Sequence, residues 1–327
     1  MIIEPKESDM PEPLYRALID SQSKYKDDLV EFFKDNLIGK NEGIDNISVT
    51  TLSKAPRQVQ LLNRYKHEIT HNPMDFYFSL KGSIIHYILE VYSPPHWVKE
   101  KRVKMIRSIN GERVAIHGQA DAYDPDRRTL YDWKFTSGTS VRYDKPEHKM
   151  QLNILANLFE KNKMPVDEIK NVYLIERLDA RYHNDPNYPT KEYKVVDQDF
   201  FATDEVNGFI DSRATLHLEA KDKADKDLPF CTDEERWIRS TEYVVYKRKK
   251  GTKKEPIQDW SSKSSFRGFS NKQALDWTKE NPQEEEVKIV VQKGSPTACS
   301  YCKALPYCNQ RQNELRNEMN QQPLGFH

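Results

Sequence analysis

Between Arg113 and Phe135 the chain twice takes the pattern of a strand. Arg113-Val-Ala-Ile-His117 alternates, and Thr129-Leu-Tyr-Asp-Trp-Lys-Phe135 is rich in β-branched and aromatic residues. Between them, Asp124-Pro-Asp-Arg-Arg128 is turn chemistry, with proline presetting the bend and aspartate capping it. The pattern predicts an antiparallel hairpin that brings Asp121 near Asp132 and Lys134. Side chains alternate along a strand, so Asp132 and Lys134 share one face.

Other periodicities surround this hairpin. Leu14 to Leu37 has a helical apolar face, Leu52 to Tyr65 reads as a turn into a helix with Pro56 near its start, and Phe76 to Tyr92 predicts a helix halted by Pro94-Pro95. Lys101 to Ile109 predicts a strand beside the hairpin. A helix follows from about Pro146 to Lys161, then strands at Asn171–Glu176 and Glu192–Val196. An amphipathic helix from about Asp199 to Ala220 carries Phe200, Val206, Phe209, Ile210 and Leu216 among its apolar positions. Beyond Trp237 the character changes. Strands at Thr241–Lys247 and Val287–Gln292 flank a helix from Ser270 to Glu280, N-capped by Ser270. The expected class is α/β: a central mixed sheet flanked by helices, with a C-terminal cysteine-stapled module.

Composition bounds the partners. Lys+Arg and Asp+Glu both number 51 among 327 residues, so any nucleic-acid surface must be a local patch. At 31% charged and 37% hydrophobic the chain is polar, yet its aromatic content argues for a folded core. No apolar run approaches a membrane span, and Met-Ile-Ile-Glu-Pro-Lys-Glu-Ser lacks a signal-peptide core, so the expectation is a cytoplasmic protein without a membrane partner. The densest cationic run, from Lys247 to Lys254, is either a solvated hairpin tip or a contact for phosphates.

Two carboxylates converging at a strand end can hold a hard divalent cation such as Mg²⁺ or Mn²⁺. A lysine beside them can position the water whose acidity the cation raises. These are the groups needed to hydrolyse a phosphodiester. Gly118-Gln-Ala-Asp121 followed by Asp132-Trp-Lys134 resembles the core of the PD-(D/E)xK nuclease superfamily, and more narrowly its RecB-type branch. The resemblance implies a restriction-endonuclease-like sheet, with Asp121 and Asp132 as metal ligands and Lys134 as the catalytic lysine. Gly82-x-x-x-His86 matches the helix that precedes the hairpin in that branch, where the imidazole joins the metal site; it implies His86 as a third ligand. Gln151 stands where the family has Gln-x-x-x-Tyr, a glutamine that hydrogen-bonds near the catalytic lysine or the substrate. Leu155 replaces the tyrosine, which removes a hydroxyl.

Cys299-x-x-Cys302-x-x-x-x-x-Cys308, with Cys231 upstream, uses every cysteine of the chain. Cytosolic cysteines so clustered suggest metal chemistry, and the donor set leaves two choices: zinc in four thiolates or an iron–sulfur cluster. The pattern resembles cluster-stapled RecB-type nucleases: the nuclease domains of bacterial end-processing helicase-nucleases and the CRISPR-adaptation nucleases. That implies a [4Fe–4S] cluster on Cys231, Cys299, Cys302 and Cys308. In those families the remote cysteine usually precedes the core, whereas Cys231 follows it; the closer spacing, opening with Cys231-Thr-Asp-Glu-Glu-Arg-Trp237, resembles phage-encoded members of the branch.

The resemblance runs from about Ser48 to Gln310. It divides the chain into an N-terminal helical segment (1–47), a nuclease core (48–230) and a cluster-stapled region (231–327) with an inserted β–α–β module at about 240–292. It implies a metal-dependent DNA nuclease, an exonuclease on single-stranded or frayed ends, working in phage or bacterial replication or recombination beside proteins of those processes. The host cytoplasm would be its compartment if it is phage-encoded. The alternative is a non-catalytic DNA-binding or recombination-partner protein on the same fold, with zinc instead of the cluster.

Overall fold

The computed structural model describes residues 2–3, 45–142, 145–238, 240–247, 264–281, 287–292 and 294–321. The helix expected at Leu14–Leu37 and most of the cationic run from Lys247 to Lys254 lie outside the described residues. The chain divides into two compact units, Met1–Pro229 and Phe230–His327. No helix among the described residues is long and apolar enough to cross a membrane.

The first unit is built on a six-stranded mixed sheet. Its strands are β1 (Asp45–Ser48), β2 (Val98–Ile109), β3 (Glu112–Asp124), β4 (Thr129–Thr136), β5 (Glu168–Ile175) and β6 (Tyr193–Gln198). β3 is the hub. It pairs antiparallel with β2 from Glu112 to Tyr123, parallel with β1 over Val114–His117, and antiparallel with β4 only over Ala122–Asp124. β4 then runs parallel with β5, and β5 antiparallel with β6.

Helices cover this sheet. α1 (Val49–Leu52) is capped by the Ser48 side chain, and α2 (Pro56–Arg64) starts on the proline that its sequence places at the first turn. α3 (Tyr77–Tyr92) ends just before Pro94. α4 (Pro146–Lys161) buries Leu152, Ile154, Leu155, Leu158 and Phe159 in the main core with Ile116 and Leu130. α5 (Thr203–Lys221) buries Val206, Ile210, Ala214, His217 and Ala220. Its inward stripe thus runs through small residues and a histidine instead of Leu216, while Phe200 lies before the helix and is exposed.

A buried arginine closes the unit. Arg57 on α2 is 1% exposed and donates to the carbonyls of Pro229 at 3.1 Å, Asp225 at 3.4 Å, and Leu228. A guanidinium can be buried at tolerable cost only when its donors are used in this way.

In the second unit a three-stranded antiparallel sheet has β7 (Glu242–Lys247) between β8 (Phe266–Gly268) and β9 (Val287–Gln292). Helix α6 (Asn271–Glu280) opens with a capping box of Ser270 and Gln273. The strand–helix–strand pattern read from the sequence therefore gains a third short strand. A polar helix, α7 (Asn309–Gln321), follows the cysteines.

Candidate metal and cysteine sites

The candidate active site forms where β3 and β4 part. Ladder pairing between them ends at Ala122 and Tyr131, one residue short of Asp121 and Asp132. The Asp121 carboxylate takes over: its Oδ2 accepts the Trp133 backbone N–H at 2.7 Å. One carboxylate oxygen thereby satisfies a backbone donor that the sheet has released. Earlier on β3, Gly118 lets α4 approach the strand closely. A β-carbon there would lie 2.6 Å from Leu155 Cδ2 and 2.8 Å from Val49 Cγ2. Leu155, the position without a tyrosine, is core packing over this glycine and is 1% exposed.

From α3, His86 reaches the other oxygen, its Nδ1 standing 3.5 Å from Asp121 Oδ1. The hydrogen bond to Asp121 raises the imidazole's affinity for a proton, against the effect of burial. The third member is Glu100, a residue the sequence reading missed. One ligand atom each from His86, Glu100 and Asp121 lie within 4.8 Å of one another, a group able to hold a metal ion. Lys99 pairs with Ala122 and Lys101 with Ala120, so Glu100 stands across from Asp121. It has a left-handed backbone, φ 48°, unusual for a non-glycine residue inside a strand. Burial, then the charge of Asp121, pushes its carboxyl up to about 7, while the Gln119 amide that donates to it opposes the rise.

A signal for Glu100 was present in the chain. Asn110-Gly111 is the preferred pair for a two-residue hairpin turn, and both residues have positive φ, 50° and 84°. Counting back from the Ile109–Glu112 pair it closes puts Glu100 opposite Asp121.

Asp132 is 5% exposed, and both its oxygens have partners. Oδ1 accepts from Lys134 Nζ at 2.7 Å, and Oδ2 from Asn171 Nδ2 at 2.8 Å. Gln198 fixes Asn171 in turn at 2.9 Å. Burial pushes the Asp132 carboxyl up, and the Lys134 ammonium holds it down. Each oxygen keeps a lone pair for a further ligand. The structure thus unites His86 with Asp121 and Asp132 with Lys134, and adds Glu100. Gln151 sits on α4, half-buried, one turn after His148. His148 bonds the Tyr173 hydroxyl at 3.0 Å, and Tyr173 pairs with Lys134 across the sheet. Burial and then the charge of Lys134 lower His148 to about 4.

A second group, His96, Asp124 and Asp126, occupies the hairpin tip. There Asp124 Oδ1 caps the turn, accepting from the N–H of Asp126 at 3.0 Å and of Arg127 at 3.3 Å.

In the second unit none of the four cysteines forms a disulfide, and all are half-buried. Short turns link the terminal three: Cys302 N–H donates to the Cys299 carbonyl at 3.2 Å, Leu305 N–H to Cys302 at 3.0 Å, and Cys308 N–H to Leu305 at 3.1 Å. Cys231 joins them through Gln310, whose side-chain Oε1 accepts from Cys231 N–H at 2.9 Å and whose Nε2 donates to the Cys231 carbonyl at 3.0 Å. Four thiols are the soft donors that zinc or an iron–sulfur cluster takes, although among the described residues no three of these sulfurs lie within 4.8 Å of one another.

No family profile matches the chain, and no curated protein matches it significantly. Among solved structures it is similar to SSO0001, at 18% identity and a TM-score of 0.44, over 63% of this chain and 87% of that one. It is also similar to a phage related exonuclease from Haemophilus somnus 129PT, at 13% identity and a TM-score of 0.24, over 65% and 85%.

Proposed function

We propose that the chain is a metal-dependent DNA nuclease of the PD-(D/E)xK type, from the RecB-like branch with a restriction-endonuclease-like core at 48–230 and a cluster-stapled region at 231–327. One observation carries this reading. An imidazole, two carboxylates and a buried aspartate–lysine pair meet where two sheet strands separate. His86, Glu100 and Asp121, whose ligand atoms lie within 4.8 Å of one another, would hold the cation, with Asp132 as the further ligand that the motif resemblance implies. A mixed imidazole and carboxylate set fits Mn²⁺ better than Mg²⁺, which prefers oxygen alone. The bound cation would polarise the phosphodiester and supply an acidified water.

The chain's own residues do the rest. Asp132 holds the Lys134 ammonium in place, and Lys134 orients the attacking water and offsets charge developing on the phosphate. Glu100 brings its carboxylate within reach of His86 and Asp121 from β2. Gln151 would contact the substrate near Lys134. The cysteines would hold a structural [4Fe–4S] cluster, with zinc as the other metal the donor set accepts.

End-labelled linear and closed circular single-stranded DNA, incubated with Mn²⁺ or Mg²⁺, tests the activity and its mode together. An exonuclease on single-stranded or frayed ends degrades only the linear form. Absence of cleavage with either cation sinks the enzymatic reading and leaves a DNA-binding protein on the same scaffold.

A further inference from the structure

The segment from Cys231 to Ile238 is gripped at several points by chain some sixty to eighty positions later. Gln310 and Glu314 stand four residues apart on α7 and so share a face. Gln310, 8% exposed, makes its two-way amide bond with the Cys231 backbone. Glu314 accepts from Arg236 Nη2 at 2.5 Å. The Arg236 guanidinium, also buried, lies close to the Cys299 side chain. Backbone contacts run alongside: Ala298 N–H donates to the Arg236 carbonyl at 3.0 Å, Thr297 Oγ1 to the Trp237 carbonyl at 3.1 Å, and Ile238 bridges Pro296.

Burying an amide and a guanidinium costs free energy unless their hydrogen bonds are made; the Gln310 amide bonds the Cys231 backbone, while Arg236 bonds Glu314 through Nη2 and its Nε has no hydrogen-bond partner. We propose that Gln310, Glu314 and Arg236 are positioning residues of the cysteine site. One face of α7 holds the Cys231 segment to the chain that follows Cys308 through protein contacts alone, independently of any metal. The inference rests on the reading of the cysteines as one metal site. It adds that the remote cysteine is placed by a clasp and not recruited by the metal. Partners beyond the ligating atoms commonly change metal affinity 10- to 100-fold, by order of magnitude, when removed.

The test uses the full chain, loaded with iron and sulfide under anaerobic conditions. Wild type, Gln310→Met, Glu314→Gln and Cys231→Ser are compared by iron and sulfide content, by charge-transfer absorbance, and by the rate at which an iron chelator bleaches it. Circular dichroism monitors the fold. The expected result is faster bleaching for Gln310→Met, on the order of 10- to 100-fold, with a smaller acceleration for Glu314→Gln and an unchanged helix signal. Should Gln310→Met fail to fold, the part-exposed Glu314→Gln carries the comparison. Wild-type bleaching rates in both clasp variants, with Cys231→Ser still losing the cluster, would overturn the clasp and keep the site. If wild type holds zinc, the clasp stands or falls on the same comparison of zinc loss. A wild-type chain that takes neither metal removes the site and the clasp together.

Discussion

The two units gather their reactive groups by different means. In the first, the sheet does the gathering. Register between β2 and β3 puts Glu100 across from Asp121, and register between β4 and β5 puts Asp132 across from Asn171 and Lys134 across from Tyr173. Backbone ladders would hold those positions if any one side chain were shortened. In the second unit the cysteines sit on short turns, and the distant one is held by side chains of α7. A group placed by a ladder is robust to substitution, whereas one placed by side-chain clasps depends on each of them.

The sharpest way to break this comparison is to remove the lysine. Lys134→Ala should lower cleavage by about 10²- to 10⁴-fold, the usual contribution of a group that handles a proton. The melting temperature should fall as well, because the buried Asp132 carboxyl loses its ammonium and keeps only Asn171, so circular dichroism at the assay temperature must show that the variant is folded. Near-normal cleavage by this variant would dismantle the site assignment. In the other unit, Cys231→Ser should lose most of the about four iron atoms of a [4Fe–4S] cluster and become protease-sensitive beyond Phe230. Limited digestion with mass spectrometry reads this, and an unchanged fragment pattern would show that the turns hold themselves.

A smaller effect probes how the sheet admits α4. Gly118→Ala should cost about 1–3 kcal/mol in denaturant unfolding, because the added methyl overpacks against Leu155 and Val49. A neutral result would mean that α4 can retreat without loss. The finest probe is Glu100→Gln in metal-free protein. The Glu100 carboxyl is raised from 4.5 to about 7, so the folded state binds more protons across that interval. Its contribution to stability is full below the lower value and is lost as pH rises through the upper one. Thermal unfolding in chelator should therefore favour the variant increasingly from about pH 5 to about pH 8. Added Mn²⁺ should reverse the order, since it binds only the folded carboxylate site. A gap that does not change with pH would place Glu100 in solvent.

Much of the first unit was legible because its periodicities are long and strong. The hairpin around Asp124, the helix from Pro146 and the pairing of Asp132 with Lys134 all follow from alternation and turn chemistry. Glu100 is hard to see because alternation predicts a strand only from Lys101, and its place opposite Asp121 emerges only when the Asn110-Gly111 turn sets the register. β1 and α1 are too short for a period to be recognised. α7 escaped for the opposite reason. Asn-Gln-Arg-Gln-Asn-Glu-Leu-Arg has no apolar stripe, and its inward face is an amide and a carboxylate that hold a cysteine segment. Polar helices of this kind are identified by their partners, which one sequence does not display.

The bond from the Trp133 N–H to Asp121 has a consequence for reading other chains of this shape. Asp121 serves the backbone as well as any cation, so a lineage that lost its chemistry would still be under pressure to keep an acceptor there. Asparagine would satisfy the N–H, and alanine would leave a half-buried donor bare. An acid at this position in a distant homologue therefore reports architecture. Lys134 serves a side chain, the Asp132 carboxylate, and no backbone group, so under the proposed chemistry its identity is the sharper mark of activity.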